Sequence, residues 1–373
     1  MTVDREHVQT TVRRLTGLPA RDVTELGRGT DSVAYLVDDE WVFRFPMVPA
    51  ARDSLRTEIA LLPRLRPGLP LATPEFEHVG RAGRELLFVG YRVLPGVPLT
   101  AERFAALGRD DQERALDALA GFLGALHAFP LETARHARVV ERMTRGAYHD
   151  RQRDLPRQLA HLLTAAEVAH LDGVFARYER DHAPHRQAPG LLHADLKPAH
   201  IVYDVSARRV TGVLDWGDVS LGDPDFDLAV IAMFFGREFL GRLLAHLPSR
   251  DPDRVLDKTL FFTTLRWLQD LAYVVERGDH QATAPSLARL RAHVDDTRRQ
   301  PPALLNATPT VLDRPHIVWA IQHNAEIDGD NGALPRAASP RCDPAASRTP
   351  GTGRAERHSA GHTARRHQRS RSS

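Results

Sequence analysis

Apolar residues in the first ninety-odd positions come in short runs of strand length. "SVAYLV" and "EWVFRF" alternate or run apolar, and the "DDE" between them suits a hairpin turn. "ARDSLRTEIALLPRL" then spaces Leu55, Ile59, Leu62 and Leu65 as one face of a helix. "ELLFVGYRVL" predicts a further strand, ended by the Pro95-Gly96 turn signal. From about 100 to 185 the period is helical, clearest in "ERALDALAGFLGALHAF". Two apolar runs feeding into polar turns follow, "LLHADLKPAHIVYD" and "VTGVLDWGD", and helices resume at "DFDLAVIAMFF" and continue to about 300. No internal repeat is visible.

The pattern divides the chain into a β-rich part over 1–95, a mostly helical part over 96–300 and a tail over 301–373. Composition changes this picture only for the tail. The last 43 residues hold nine Arg against Asp343 and Glu356, so they stand near +7 and the rest near −5 within a net +2. Large apolar residues are scarce there, so burial cannot offset the entropy of ordering, and disorder is the expectation. Such a basic tail lacks the interleaved aromatics of nucleic-acid binders, and its histidines (His358, His362, His367) read as solvated.

Elsewhere, 42% hydrophobic and 26% charged residues describe an ordinary globular chain. Its apolar runs fall short of the roughly 20 residues of a membrane span. No signal-peptide pattern opens the sequence, and the one cysteine, Cys342, forms neither a disulfide nor a metal cluster within the chain. A cytoplasmic monomer is the expectation, with no membrane or nucleic-acid partner.

The chemistry concentrates between the helices. Asp195 and Asp215 each end an apolar run, which predicts two carboxylates at one edge of a small sheet, a donor pair suited to Mg²⁺ and phosphate oxygens. Upstream, "LGRGTDSVAYLV" is a glycine-containing turn opening a strand, able to lie over phosphates. Arg44 on the next strand and Glu58 on the next helix can pair. None of these features is specific alone, since Gly27 and Gly29 suit any turn and most ion pairs are surface contacts. Their order is specific: glycine turn, cation on a strand, Glu on a helix, hinge, H-x-D-x-K-P, then D-x-G.

Through "GRGTDSVAYLV", "WVFRFP", "FVGYRVLPGVPLT", "LLHADLKPAHIVYD" and "GVLDWGDVSLGDPDFDLA", residues 20 to 290 resemble the aminoglycoside phosphotransferases, most of all the branch acting on the 2″-hydroxyl. The resemblance implies an α+β, bilobed protein-kinase-like fold: a small β-rich N-lobe that binds nucleotide and a larger helical C-lobe for catalysis and acceptor. It implies Asp195 as the catalytic base, His193 as a brace, Lys197 at the γ-phosphate and Asp227 capping the catalytic loop from beneath. Asp215 and His200 would hold Mg²⁺. Gly27, Gly29, Ser32 and Arg44 would hold the phosphates of GTP or ATP and Glu58 would pair with Arg44 in the same cofactor site, with Tyr91 as gatekeeper and Arg92 to Leu94 as hinge. Because a phenol at Tyr91 crowds adenine, GTP is the expected donor, with ATP as the alternative.

Two positions depart from the family pattern. His200 stands where Asn is usual, and Arg44 where a lysine is usual, which leaves a nucleotide-binding pseudo-enzyme as another reading. A protein kinase is excluded because "GDVSLGDPDFD" passes directly into a helix with no activation segment. For an aminoglycoside, Asp195, Asp223, Asp270 and Glu276 would supply acids and Trp267 a wall. "VIAMFFGRE" offers few acids, so a macrolide or another amino-alcohol is an alternative acceptor. Residues 301–373 are expected to be dispensable for catalysis.

Overall fold

The computed structural model describes residues 3–29, 31–143, 152–182, 188–247 and 251–299. The predicted disordered tail, with Cys342 and its histidines, lies outside the described residues. After helix α1 (Arg5–Thr16) come β1 (Val23–Arg28), β2 (Ser32–Val37), β3 (Trp41–Pro46), α2 (Pro49–Leu65), β4 (His78–Ala82) and β5 (Glu85–Arg92). The five strands form one antiparallel sheet in the order β1-β2-β3-β5-β4. Asp38 and Asp39, both at left-handed φ (52° and 53°), make the β2–β3 turn, whose twist matches that of the strands it joins. Asp4 caps α1 by accepting from His7 N–H, and Gly17 ends it at φ 76°. Val8 and Val12 of α1 then pack on Phe43, Phe45 and Phe88 of the sheet. Burying each such side chain contributes about 1.5–3 kcal/mol.

The remainder is mostly helical: β6 (Val97–Pro98), α3 (Ala101–Ala106), α4 (Arg109–His127), α5 (Leu131–His136), β7 (Glu141–Met143), α6 (Leu155–Gln158) and α7 (Ala165–Asp181). It continues through β8 (Gly190–Leu192), β9 (Ile201–Asp204), β10 (Arg209–Val213), β11 (Ser220–Gly222), α8 (Asp225–Ala245), α9 (Pro252–Glu276) and α10 (His280–Arg299). The mixed architecture matches the expected α+β fold. β7, parallel to β11, was not predicted, because three residues inside a helical region carry no periodicity. α8 is broken at Gly236 (φ 83°, ψ 171°), a conformation open to glycine and to few other residues.

One expectation is corrected. The apolar runs before Asp195 and Asp215 do not share a sheet: β8 lies in β7-β11-β8, and β10 in β10-β9-β6. Two sheets two or three strands apart in sequence look like one when only alternation is read. What brings the acids together is the pair of loops after the strands.

Candidate active site

The loop after β8 is built from its own backbone outward. His193 Nε2 donates to Leu214 C=O at 3.0 Å, and its Nδ1 accepts from Asp195 N–H at 3.3 Å. Leu214 N–H donates in turn to His200 C=O at 2.8 Å. His193, buried against the Trp216 ring, therefore fastens the segment of Asp195 to the segment of Asp215.

Ala194 between them is held at φ 65°, a conformation that costs a non-glycine residue about 1–2 kcal/mol. Asp227 on the first turn of α8 compensates. Its two carboxylate oxygens accept from Ala194 N–H at 2.7 Å and His193 N–H at 3.1 Å, and His127 Nε2 lies 3.0 Å from it. The expected position of Asp227 beneath the loop is met. Lys258 of α9, buried, pins the start of the same helix, with Nζ 2.6 Å from Asp223 and 2.5 Å from Asp225.

Asp195 carries Lys197 Nζ on Oδ2 at 3.0 Å, while Arg266 Nη2 stands 3.7 Å from Oδ1. Burial alone would raise the Asp195 carboxyl; Lys197, His200 and Arg266 outweigh it and hold its pKa down at about 2. It is ionised at neutral pH. His200 Nδ1 lies 2.7 Å from Asp195 C=O, which can only accept, so the proton sits on Nδ1. Its Nε2 lone pair then points toward the Asp215 carboxylate at 3.4 Å, with no hydrogen-bond partner among the described residues. Burial, and then the Lys197 charge, keep the ring neutral, with a pKa of about 4.

Two acceptors facing one another in the interior call for a cation between them. A pair consisting of one imidazole nitrogen and one carboxylate fits a divalent ion that takes its other ligands from phosphates and water. No group of three or more His, Cys, Asp or Glu able to hold a metal occurs among the described residues.

Asp215, at φ 57°, also meets the upper sheet. Arg44 of β3 forks between Glu58 at 2.9 Å and Asp215 at 3.3 Å, so the expected Arg44–Glu58 pair extends to Asp215. Burial works against the Arg44 charge, and Glu58 and Asp215 more than offset it, raising its pKa. Burial holds Glu58 above the ordinary carboxylate range, Arg44 countering part of the effect. Ser54 of α2 donates to Gly217 C=O at 2.6 Å, a second tie from α2 to the Asp215 loop.

Beside these charges lies an apolar cluster. Leu26, Ala34, Val42 and Tyr91 from the five-stranded sheet meet Val202 and Leu214 from below, with Leu36, Phe76, Val93 and Leu94 at its margin. Tyr91 is buried there, 6.0 Å from the Phe76 ring. Val93 N–H goes to Glu40 C=O, whereas Leu94 N–H has no hydrogen-bond partner among the described residues. The Arg92 side chain points elsewhere, lying over Trp41 and pairing with Glu40 and Glu77, so only its backbone can serve as hinge. Gly27 sits at a bulge in β1, and buried Ser32 opens β2. Gly29 N–H is taken by Ser32 C=O at 2.9 Å, which removes that amide from any phosphate cradle.

The predicted acceptor wall is only partly assembled. Asp270 reaches Arg266, 3.9 Å away, on the face of α9 turned to Asp195. Asp223 is instead consumed by Lys258 and by Asp225 N–H. Trp267, one residue round the helix, packs against the α7–α10 core with Arg289 over its ring at 5.8 Å. Glu276 is exposed ten residues beyond Arg266, roughly 15 Å along the helix. Sequence reasoning missed Arg266, Asp218, His127 and Lys258. Lys258 alone had a signal: it interrupts the buried stripe that continues through Phe261, Phe262 and Leu265.

A β-rich lobe and a helical lobe with an apolar cluster, a cation–Glu pair and two acids between them define the kinase-like phosphotransferase class. The chain belongs to the phosphotransferase enzyme family (APH), whose model matches residues 22–254, well over half of it. The GDP and kanamycin complex of APH(2″)-IIIa superposes with a TM-score of 0.72 at 28% identity, over 78% of this chain and 99% of that one. A macrolide 2′-phosphotransferase type I (TM-score 0.63, 23% identity, 78% and 97% covered) shares the fold. Viomycin phosphotransferase of Streptomyces vinaceus is 32% identical over 126 residues, 32% of this chain and 44% of that protein. The match thus spans under half of that relative's length. No helix among the described residues is long and apolar enough to cross a membrane.

Proposed function

We propose that this chain is a small-molecule kinase that transfers the γ-phosphoryl group of GTP or ATP to a hydroxyl of an antibiotic of the aminoglycoside or macrolide kind, a resistance activity. The observation that carries the reading is the convergence of Asp195, His200 and Asp215 beside the apolar cluster of Leu26, Val42, Tyr91, Val202 and Leu214. The cluster is read as the apolar wall of the purine site, with Leu94 at its margin. Asp195 Oδ1 accepts the acceptor's hydroxyl proton as that oxygen bonds to phosphorus and the bond to the bridging oxygen of the nucleoside diphosphate breaks. Lys197 and Arg44 stand where negative charge builds on the phosphoryl oxygens and the departing diphosphate. Mg²⁺ held by His200 and Asp215 would neutralise phosphate charge. The lobes are read as 1–95 and 96–300.

GDP complexes among the similar structures, and Tyr91 within the apolar cluster, favour GTP as donor. Asp195→Asn should abolish transfer while leaving calorimetric nucleotide binding nearly intact, and Asp215→Asn should weaken both. An Asp195→Asn protein that keeps its turnover would refute the assignment.

A further inference from the structure

Among the described residues, the carboxylates on the acceptor side of Asp195 stand beside cations. Oδ2 of Asp195 carries Lys197 at 3.0 Å and lies 3.5 Å from His200 Nδ1, whereas Oδ1 faces Arg266 Nη2 at 3.7 Å. That last separation is too long for a hydrogen bond, so a hydroxyl can settle on Oδ1 with the guanidinium directly beside it. Arg266 also stands 3.9 Å from Asp270. Asp218, half exposed and 3.7 Å from Arg142, is close enough to Asp195 and Arg266 for both charges to act on it. Among the described residues, Asp195, Asp218 and Asp270 each stand beside a cation, Lys197, Arg142 and Arg266 respectively.

We propose that Arg266 is a specificity-determining residue: it selects an acceptor of low net positive charge that presents an ether, carbonyl or carboxylate oxygen next to the reacting hydroxyl, and disfavours polyamines. The inference rests on the kinase reading of the same site. A guanidinium offers a fork of donors that an oxygen beside the hydroxyl can accept. An ammonium in that place meets a like charge in a cleft walled by protein, where the repulsion is less screened than in water. The more exposed Asp218 and Asp270 remain able to take a single amine. Trp267 and Asp223, which would have extended an aminoglycoside wall, are engaged elsewhere.

The test uses the full chain and two probes: erythromycin, with one amine among many oxygens, and kanamycin, with several amines. Each is titrated calorimetrically into wild type, Arg266→Gln and Arg266→Glu, and phosphoryl transfer from GTP and ATP is followed in parallel. Wild type should bind erythromycin about tenfold or more tighter than kanamycin, and Arg266→Glu should move the ratio about tenfold toward kanamycin, with nucleotide affinity and Tm unchanged. Arg266→Gln should fall between. Tighter or equal binding of kanamycin by wild type, a ratio indifferent to both substitutions, or binding of neither probe overturns the proposal. So does an equal fall in transfer to both acceptors, which would put Arg266 on the phosphoryl group. Loss of the kinase reading looks different: the binding ratio would shift with Arg266 while no nucleotide-dependent transfer occurred.

Discussion

His200 donates its Nδ1–H to the carbonyl of Asp195 at 2.7 Å, and this one bond decides what its other nitrogen can do. With the proton committed there, Nε2 is an acceptor 3.4 Å from the Asp215 carboxylate. The pair is stable only with a cation or a donor between the two groups. His200→Ala should therefore raise the Mg²⁺ concentration for half-maximal transfer by about tenfold or more. His200→Asn, which restores an oxygen donor, should recover part of it. An unchanged Mg²⁺ dependence in His200→Ala would remove His200 from the metal site.

Asp227 and Ala194 make a second pair with opposite expectations. Asp227→Ala leaves two buried N–H groups unpaired and should cost about 2–4 kcal/mol by urea unfolding, with kcat reduced more than the nucleotide KM. Ala194→Gly removes the strain at φ 65° and should be neutral or stabilising by up to about 1 kcal/mol. Clear destabilisation by the glycine would mean that the Ala194 methyl packs more than its backbone is strained.

The donor is tested at Tyr91. Its phenol is buried among Val42, Val202 and Leu214, and in the proposed purine site it would crowd a deeply seated adenine. Guanine can sit further out and use its own donors on the hinge carbonyls. Wild type should show a higher kcat/KM for GTP, and Tyr91→Met should shift the ratio toward ATP by about tenfold or more. A ratio that does not move would place the phenol outside purine selection.

His293 supplies a pH dependence remote from the site. Its Nε2 lies 2.8 Å from Thr264 Oγ, and burial, with a smaller contribution from His170, holds its pKa at about 4. A histidine lowered on folding takes up its proton in the unfolded chain first, so stability falls as pH drops from about 6.5 toward 4 and levels off below that. Between pH 7 and pH 4.5 the loss assigned to His293 should be about 1–2 kcal/mol. Urea unfolding of wild type and His293→Gln should converge as pH falls over that range, and parallel curves would contradict the assignment.

Much of the site was readable because it is local. His193, Asp195, Lys197 and His200 satisfy one another within a few residues, so the chemistry of "HADLKPAH" survives translation into a string. The strand and helix periods likewise identified the β-rich and helical parts and the Asp38-Asp39 turn, because each rests on contacts between near neighbours. The α+β, kinase-like class came from the family resemblance. The periods could not say that β8 and β10 belong to different sheets, since alternation records which face is buried and not which strand is the neighbour.

The acceptor side was decided by tertiary structure alone. Asp223 read as an open carboxylate until Lys258, a helix away, claimed it; Trp267 read as a wall until α9 turned it toward α10. Arg266, which faces Asp195 from α9, carried no signal, because a charged residue on a helix is ordinary until its rotation about the axis is known. That rotation is set by how α7, α8 and α10 pack around α9, a sum of many small apolar contacts that no short stretch of sequence contains.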